Sequence, residues 1–368
     1  MTTIQGLANE QLDRVYAQTA GPALEQIQQM LNAPSGRLQR ALASLEERAA
    51  LLAEQGEVMQ PDDPTLQFAL AEYAAVMDAT EQIIMANDTA VQQGGAGIAP
   101  MVVTASIFYL LTNNLMQSGR NPLAPASLRY FQQEIAASGL NYTTLSTDAL
   151  SNAIRYTRSE AWITRMNGWG DGYANLAREQ VLNGLRQGMN PRAVAAQFRQ
   201  TATNVPRYAA DNIMRTLQLT AYRDAEVAQA MANRDILVKK IRIAAMDART
   251  CLSCIALHGT ELGLDERVDD HYNGRCTAIY QVAGQPPPNV QSGSDWFASL
   301  SPERQQQQAG FATNPANWRA FQDGVPLSSF SGEHHDPVFG RQTVQVSLTQ
   351  AVGQEQAATY YTRNQPHE

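Results

Sequence analysis

Asp247-Ala-Arg-Thr-Cys251-Leu-Ser-Cys254, continued by Ile-Ala-Leu257-His258-Gly259 and closed by His271-Tyr-Asn-Gly-Arg275-Cys276, holds every cysteine of the 368-residue chain. The spacing is C-x2-C-x16-H-x4-C. A Cys-x2-Cys turn aims two thiolates at one point, and a returning strand can bring an imidazole and a third thiolate to complete a tetrahedron. This pattern predicts a structural Zn2+ held by Cys251, Cys254, His271 and Cys276. The competing reading makes Cys251 and Cys254 small buried hydrophobes or a redox pair, with His271 on the surface. His258 is the alternative imidazole, although its place in the Leu257-x-Gly259 turn disfavours it. A β-ribbon with no core of its own would draw its folding free energy from the metal, on the order of 10 kcal/mol in zinc-finger peptides.

Around these donors, Asp247 is expected to cap or brace the turn, and Thr250 and Gly259 support it. Arg275 would offset thiolate charge or pair with an acid. Asp269 and Asp270 are available as bases for a catalytic zinc, but three thiolates make an electron-rich ion and a poor Lewis acid, so a closed site is favoured. Ile236 to Ile243 is β-branched and roughly alternating, which predicts a strand entering the window; Thr277 to Val282 predicts one leaving it.

Working outward, the chain reads as mainly helical. Leu12, Val15, Leu24, Ile27 and Leu31, then Leu38, Leu42, Leu45, Leu51 and Leu52, recur at helical steps on either side of the break at Asn32 to Gly36. Asp63-Pro64 is a cap and first-turn pair opening a periodic stretch from Leu66 to Met85. Gln92-Gln-Gly-Gly-Ala-Gly97 reads as a flexible joint. Further helices are expected from Thr147 to Arg165, from Tyr173 to Leu185 after a glycine-rich turn at Asn167 to Gly172, from Asn190-Pro191, and from Tyr208 to Asn233. Gly284 to Pro288 reads as an extended linker. Beyond it lie a helix start at Ser301-Pro302, a polar face at Gln305 to Gln308, an alternating strand over 338–348, and fifteen loosely ordered terminal residues. The expected fold is therefore α+β and mainly α, with long helices, a small zinc-stapled β-ribbon and a mixed C-terminal segment. The expected domains are a helical arm at 1–145, residues 146–283 with the Cys/His knuckle at 247–282, and a Pro linker with the C-terminal segment at 284–368.

Net charge is −8, unevenly distributed. Residues 1–149 carry 6 basic and 15 acidic side chains (−9), residues 150–250 carry 15 and 8 (+7), and residues 251–368 carry 6 and 12 (−6). The middle segment is where an anionic partner would bind, with Lys239, Lys240 and Arg242 as candidate anion or DNA contacts; solvated helix arginines are the plainer reading. No signal-like segment opens the sequence, and the longest apolar stretch, Ile98 to Leu111, reads as too short to cross a bilayer. Clustered cysteines then favour metal over disulfide in a reducing cytoplasm.

The order Asp247, Thr250-Cys251-x-x-Cys254, Leu257-x-Gly259, His271 and Arg275-Cys276 resembles the phage head morphogenesis family, the minor head proteins of Mu-like tailed phages. The family pattern ends His-Pro-Asn-Cys-Arg-Cys; here Tyr272 replaces the proline and Gly274 the first of the two cysteines. Gly184 to Pro191 and Met214-Arg215-Thr216 resemble its helical part, with Leu217 where Glu is usual, and Asp295-Trp296-Phe297 with Ser301-Pro302 its tail. The resemblance covers about residues 150–330. It implies a structural minor capsid protein of the virion, associated with the portal vertex and needed for head assembly and DNA packaging. It would be assembled in the host cytoplasm as a homo-oligomer against portal or major capsid protein, with packaged DNA as a further candidate contact and no membrane partner. The rivals are a DNA-binding or injected virion protein acting through residues 150–250, and an enzyme fused to this module. No P-loop, nucleophile elbow, zincin helix or zinc-deaminase signature supports the enzyme. His334-His335-Asp336 looks like a metal cluster on paper, but adjacent histidines on an extended segment face opposite ways. Trp296, Phe297, Trp318 and Phe321 read as core.

Overall fold

A computed structural model describes residues 4–33, 36–112, 125–154 and 159–362. The chain is mainly helical, and it groups into two compact units that interleave along the sequence. One is Val15–Gln92 with Arg155–Gln218; the other is Met1–Arg14, Gln93–Ile154 and Leu219–Glu368. The sequence reading expects three consecutive stretches, at 1–145, 146–283 and 284–368, and these boundaries do not coincide with those of the units.

The first unit is helical. It takes most of α1 (Ile4–Asn32), α2 (Arg37–Gln55), the first part of α3 (Pro64–Thr112), α6 (Glu160–Asn167), α7 (Trp169–Arg186) and the start of α8 (Pro191–Met231). Leu38, Leu42, Leu45 and Leu52 of α2 are buried as their period requires, whereas Leu51 faces out. Asp63 caps α3 by accepting from the Thr65 and Leu66 amides at 2.9 and 3.3 Å, and Arg48 holds its other oxygen at 3.0 Å. Asn190 accepts from the Arg192 amide at 2.9 Å and opens α8 with Pro191 at its first position. The glycine-rich turn expected at Asn167 to Gly172 contracts to Gly168: Asn167 ends α6, and Trp169 to Gly172 form the first turn of α7. Gly170 lets that turn press onto α3, where a Cβ would stand 3.0 Å from the Asp78 carboxylate. Asp78 and Glu81, which accepts from the Gly170 amide at 3.3 Å, are electrostatically welcome at this helix N-terminus.

Two expected breaks are absent. Gln92 to Gly97 lies inside α3, and Pro206 inside α8, which joins the two helices expected from Asn190 and Tyr208. Val91, Ala96, Ile98 and Ala99 are buried around the first, and Phe198, Ala202, Ala210 and Met214 around the second. Burial on both flanks outweighs the local penalty, about 1 kcal/mol for an interior glycine and about 3 for a proline. Continuity also corrects the membrane reading. Pro64–Leu111 is long and apolar enough by length and composition to cross a membrane, yet 67% of its most apolar window is buried in the protein, as in a core helix. The helix expected from Thr147 to Arg165 is described as α5 (Thr147–Ala153) and α6, and residues 155–158 between them lie outside the described residues.

In the second unit, α4 (Pro125–Ala137) stacks Phe131 on Phe108 of α3 at 4.3 Å between ring centroids. A three-stranded antiparallel sheet has the order β2 (Glu261–Leu262), β1 (Leu237–Ile243), β3 (Thr277–Val282), with Lys240 opposite both Leu262 and Tyr280. Both long strands fall where the alternation places them. After β3 come five short elements: α10 (Gly293–Ala298), α11 (Pro302–Gln306), α12 (Ala309–Ala312), α13 (Pro315–Gln322) and a 3-10 turn at Leu327–Phe330. The hairpin β4 (Ser331–Asp336) and β5 (Gly340–Gln345) follows, then α14 (Leu348–Val352) and α15 (Gln354–Thr362). The fifteen terminal residues expected to be loose are therefore helical through Thr362, and 363–368 lie outside the described residues. Phe297, Phe311, Trp318, Phe321 and Phe330 form an aromatic core, as expected of Phe297, Trp318 and Phe321. Gln308, expected on a polar face, is buried.

Candidate metal centre

The turn that carries Cys251 and Cys254 is built by its own side chains. Thr250 donates its hydroxyl to Asp247 at 3.1 Å and accepts from the Asp247 amide at 3.1 Å. Arg275 grips the same carboxylate with both terminal nitrogens, at 2.7 and 2.6 Å, so it pairs with an acid and Asp247 braces the turn as expected. These bonds hold Asp247 at about pKa 2, the Arg275 hydrogen bond foremost. Met246, just before, has φ +54°, a left-handed conformation costing about 1–2 kcal/mol for an L residue. Cys251 is the N-cap of α9 (Leu252–Ala256), and its sulfur accepts from the Cys254 amide at 3.5 Å. Gly259 ends this segment at φ +86°, which a side chain would strain, and its amide bonds the Arg242 carbonyl at 2.9 Å.

Here the sequence reading needs correcting: the ribbon is not coreless. Leu252 and Ile255 of α9 are fully buried in the aromatic core of the C-terminal segment. The Leu252 amide bonds Gln345 at 2.9 Å, and a Cβ on Gly293 would stand 1.7 Å from the Ile255 carbonyl oxygen. Gly284 to Pro288 thus precedes a segment that packs back onto the knuckle.

On the other side of α9 the donors gather. Cys251 Sγ and Cys254 Sγ lie 3.2 and 3.4 Å from His271 Nε2. Bonds of about 2.3 Å to sulfur and 2.0 Å to nitrogen at a tetrahedral angle put such atoms about 3.5 Å apart. His271 Nδ1 donates to the Tyr272 carbonyl at 2.7 Å, so in the neutral ring that a metal requires, Nε2 is the nitrogen with the lone pair. Cys276 falls in a second trio, with Cys254 and Asp270, rather than in the first. A cavity of about 50 Å³ among Cys251, Cys254, His271 and Cys276 suits an ion rather than a substrate. A donor set of three sulfurs and one imidazole fits zinc. With no metal, burial opposes protonation of His271, but the Cys251 sulfur and Asp270 together push its pKa up to about 10. Cys251 is drawn down to about 4 by the Cys254 hydrogen bond first and by His271 after it, against burial.

His258 is not at the centre; its Nδ1 accepts from the Ala244 amide at 2.9 Å. His334 and His335 lie on exposed β4, and Asp336 caps the following turn and accepts from Tyr272 at 2.9 Å. Tyr272, where the resembled pattern has proline, so anchors the ligand loop to that hairpin. A larger cleft, about 380 Å³ and lined by Arg199, Arg207 and Tyr208 among others, lies in the first unit, and Arg199 there is already committed to Glu46.

The candidate anion contacts are corrected by burial. Lys240 is 0% exposed and Arg242 4%, so neither reaches an external anion; Lys239 pairs with Glu261. Among the described residues the Lys240 ammonium has no hydrogen-bond partner. Part of the positive balance of residues 150–250 is offset by acids of the chain itself, in an exposed pair of Arg192 with Glu54 and a part-buried pair of Arg199 with Glu46. What sequence reading missed is the role of Asp270, Arg223 and Arg242. Asp270 accepts from Arg223 at 3.0 Å and Arg242 at 3.4 Å, and from the His271 and Cys276 amides at 3.0 Å each. Burial opposes its charge, but the two arginines and His271 hold it well below the usual carboxylate range. The only sequence signal was an acid beside a ligand histidine.

The segment that carries this centre matches a known family. Residues 176–279 match the family model of phage Mu protein F like protein. The match spans between a quarter and a third of the chain and includes all four expected ligands. It is consistent with a Mu-like phage head morphogenesis protein, the resemblance drawn from the cysteine window. No curated protein and no solved structure matches the chain.

Proposed function

We propose that this chain is a structural minor head protein of a tailed phage rather than an enzyme. It would be built into the virion near the portal vertex in several copies and needed for head assembly and DNA packaging. Its partners would be portal or major capsid protein, with assembly in the bacterial cytoplasm. One observation supports the reading: the Mu protein F like match encloses a gathered Cys/His donor set around a cavity of about 50 Å³. In this reading Cys251, Cys254, His271 and Cys276 hold a structural Zn2+, which ties the turn at Asp247 to the loop ending at Cys276. The divisions at 145 and 283 mark an arm for partner contacts, the knuckle region and a C-terminal support.

The DNA-contact alternative loses support because Lys240 and Arg242 are buried. The test is to inactivate the gene in its phage and image the lysate. We expect defective or empty heads, restored by the unaltered gene. Normal numbers of infectious particles would overturn the assignment. Metal analysis of the purified chain should find zinc near one equivalent, lost in Cys254→Ser.

A further inference from the structure

Asp270 stands within 4.8 Å of Cys254 and Cys276 and, by position alone, competes with His271 and Cys251 as a metal ligand. Its surroundings say otherwise. One oxygen accepts from the His271 amide, Arg242 and the Cys254 thiol; the other accepts from the Cys276 amide and Arg223. With Cys254 as a metal-bound thiolate, the two amides and two guanidiniums still fill the roughly four lone-pair positions of a carboxylate. The two amides belong to the residues that begin and end the ligand loop. Arg223 finishes the loop from the side of α8, reaching the carbonyls of Gly274 at 2.6 Å and Cys276 at 3.0 Å. Arg242 lies 3.6 Å from Cys276 Sγ and 3.9 Å from Cys254 Sγ.

Gly274 belongs to the same arrangement. A Cβ there would stand 2.1 Å from the Asp270 carboxyl carbon, so the missing side chain is what lets the carboxylate in. The formal charges also close. Two guanidiniums and a divalent cation carry four positive charges, and three thiolates with one carboxylate carry four negative ones. A buried cluster with that balance avoids the desolvation penalty of an uncompensated ion.

We infer that Asp270 is the organiser of the metal centre and not one of its ligands: clasped by Arg223 and Arg242, it holds both ends of the His271–Cys276 loop and makes the buried cluster neutral with three thiolates and a divalent ion. This rests on the zinc reading above and says which residues set the affinity and the thiolate count. Outer residues of this kind change metal affinity by about 10- to 100-fold when removed.

The experiment titrates Co2+ into the full-length, metal-stripped chain, follows the thiolate-to-cobalt charge-transfer band, and then competes with Zn2+. Asp270→Asn, Arg242→Gln and Gly274→Ala should each keep the band of a three-thiolate site while binding weakens about 10- to 100-fold. Cys276→Ser should lower the band by one thiolate, and Arg242→Lys should recover most of what Arg242→Gln loses. Melting curves identify any variant that fails to fold, and Gly274→Ala, which alters no charge, supports or refutes the clasp independently. A ligand-field shift in Asp270→Asn together with an unchanged band in Cys276→Ser would make Asp270 the ligand and overturn the inference. Binding by the unaltered chain that no clasp variant weakens would overturn it too. No binding by the unaltered chain would overturn the zinc reading and the clasp together.

Discussion

The two faces of α9 solve different problems. One face sends Leu252 and Ile255 into an aromatic core, where dispersion and water exclusion act without regard to pH or metal. The other presents Cys251 and Cys254 to an imidazole, a carboxylate and two guanidiniums, where every interaction is electrostatic and depends on what is bound. One helix of five residues, too short to be stable by itself, is fixed by the first and put to use by the second. The knuckle therefore does not depend on its ion for a core, which separates it from a zinc finger.

That contrast can be broken from either side. The largest effect should come from the aromatic face: Phe311→Ala leaves a cavity among Phe297, Trp318 and Phe330 and should lower unfolding stability by about 3–5 kcal/mol. Urea denaturation checks it, and a loss below 1 kcal/mol would mean that core is not what fixes α9. Stripping the metal with a chelator should come next. Zinc at a hundred times its Kd stabilises by about 2.7 kcal/mol, so the chelated chain should melt lower yet keep the near-ultraviolet signal of its aromatic core. A chain that unfolds completely on chelation would show the aromatic face to be insufficient.

Acid sharpens the contrast by acting on the polar face alone. Asp247 and Asp270 both titrate below their ordinary value of 3.8 in the folded chain. Their stabilisation is thus fully present above that value and declines as pH falls through about 2 and below. Asp270→Asn should flatten that acid limb of the stability curve, whereas Leu252→Ala should shift it down without changing its slope. The smallest effect is expected at Lys239→Ala, which removes only its pair with Glu261 and should change stability by no more than about 1 kcal/mol.

The sequence was most legible where the physics is local. Cysteine spacing located the turn, alternation located β1 and β3, and Asp63-Pro64 and Asn190-Pro191 marked helix starts, because each depends on neighbours a few residues away. Helix length was misread at Gly94, Gly95 and Pro206, where local preference is overruled by burial that no short window reveals. The clasp was invisible for the same reason. Arg223 and Asp270 are 47 residues apart, on a helix and a loop with no shared pattern. An arginine on a long helix is ordinarily solvated, and only the fold shows this one facing inward.

Gly274 and Asp270 carry a consequence for descent. A carboxylate at one position demands an empty space at the other, so in any lineage bearing this segment the two should be inherited as a single choice. A relative with cysteine at the position of Gly274 would have to organise its loop without the acid. The gain of that second loop sulfur and the loss of the carboxylate would then be one evolutionary event.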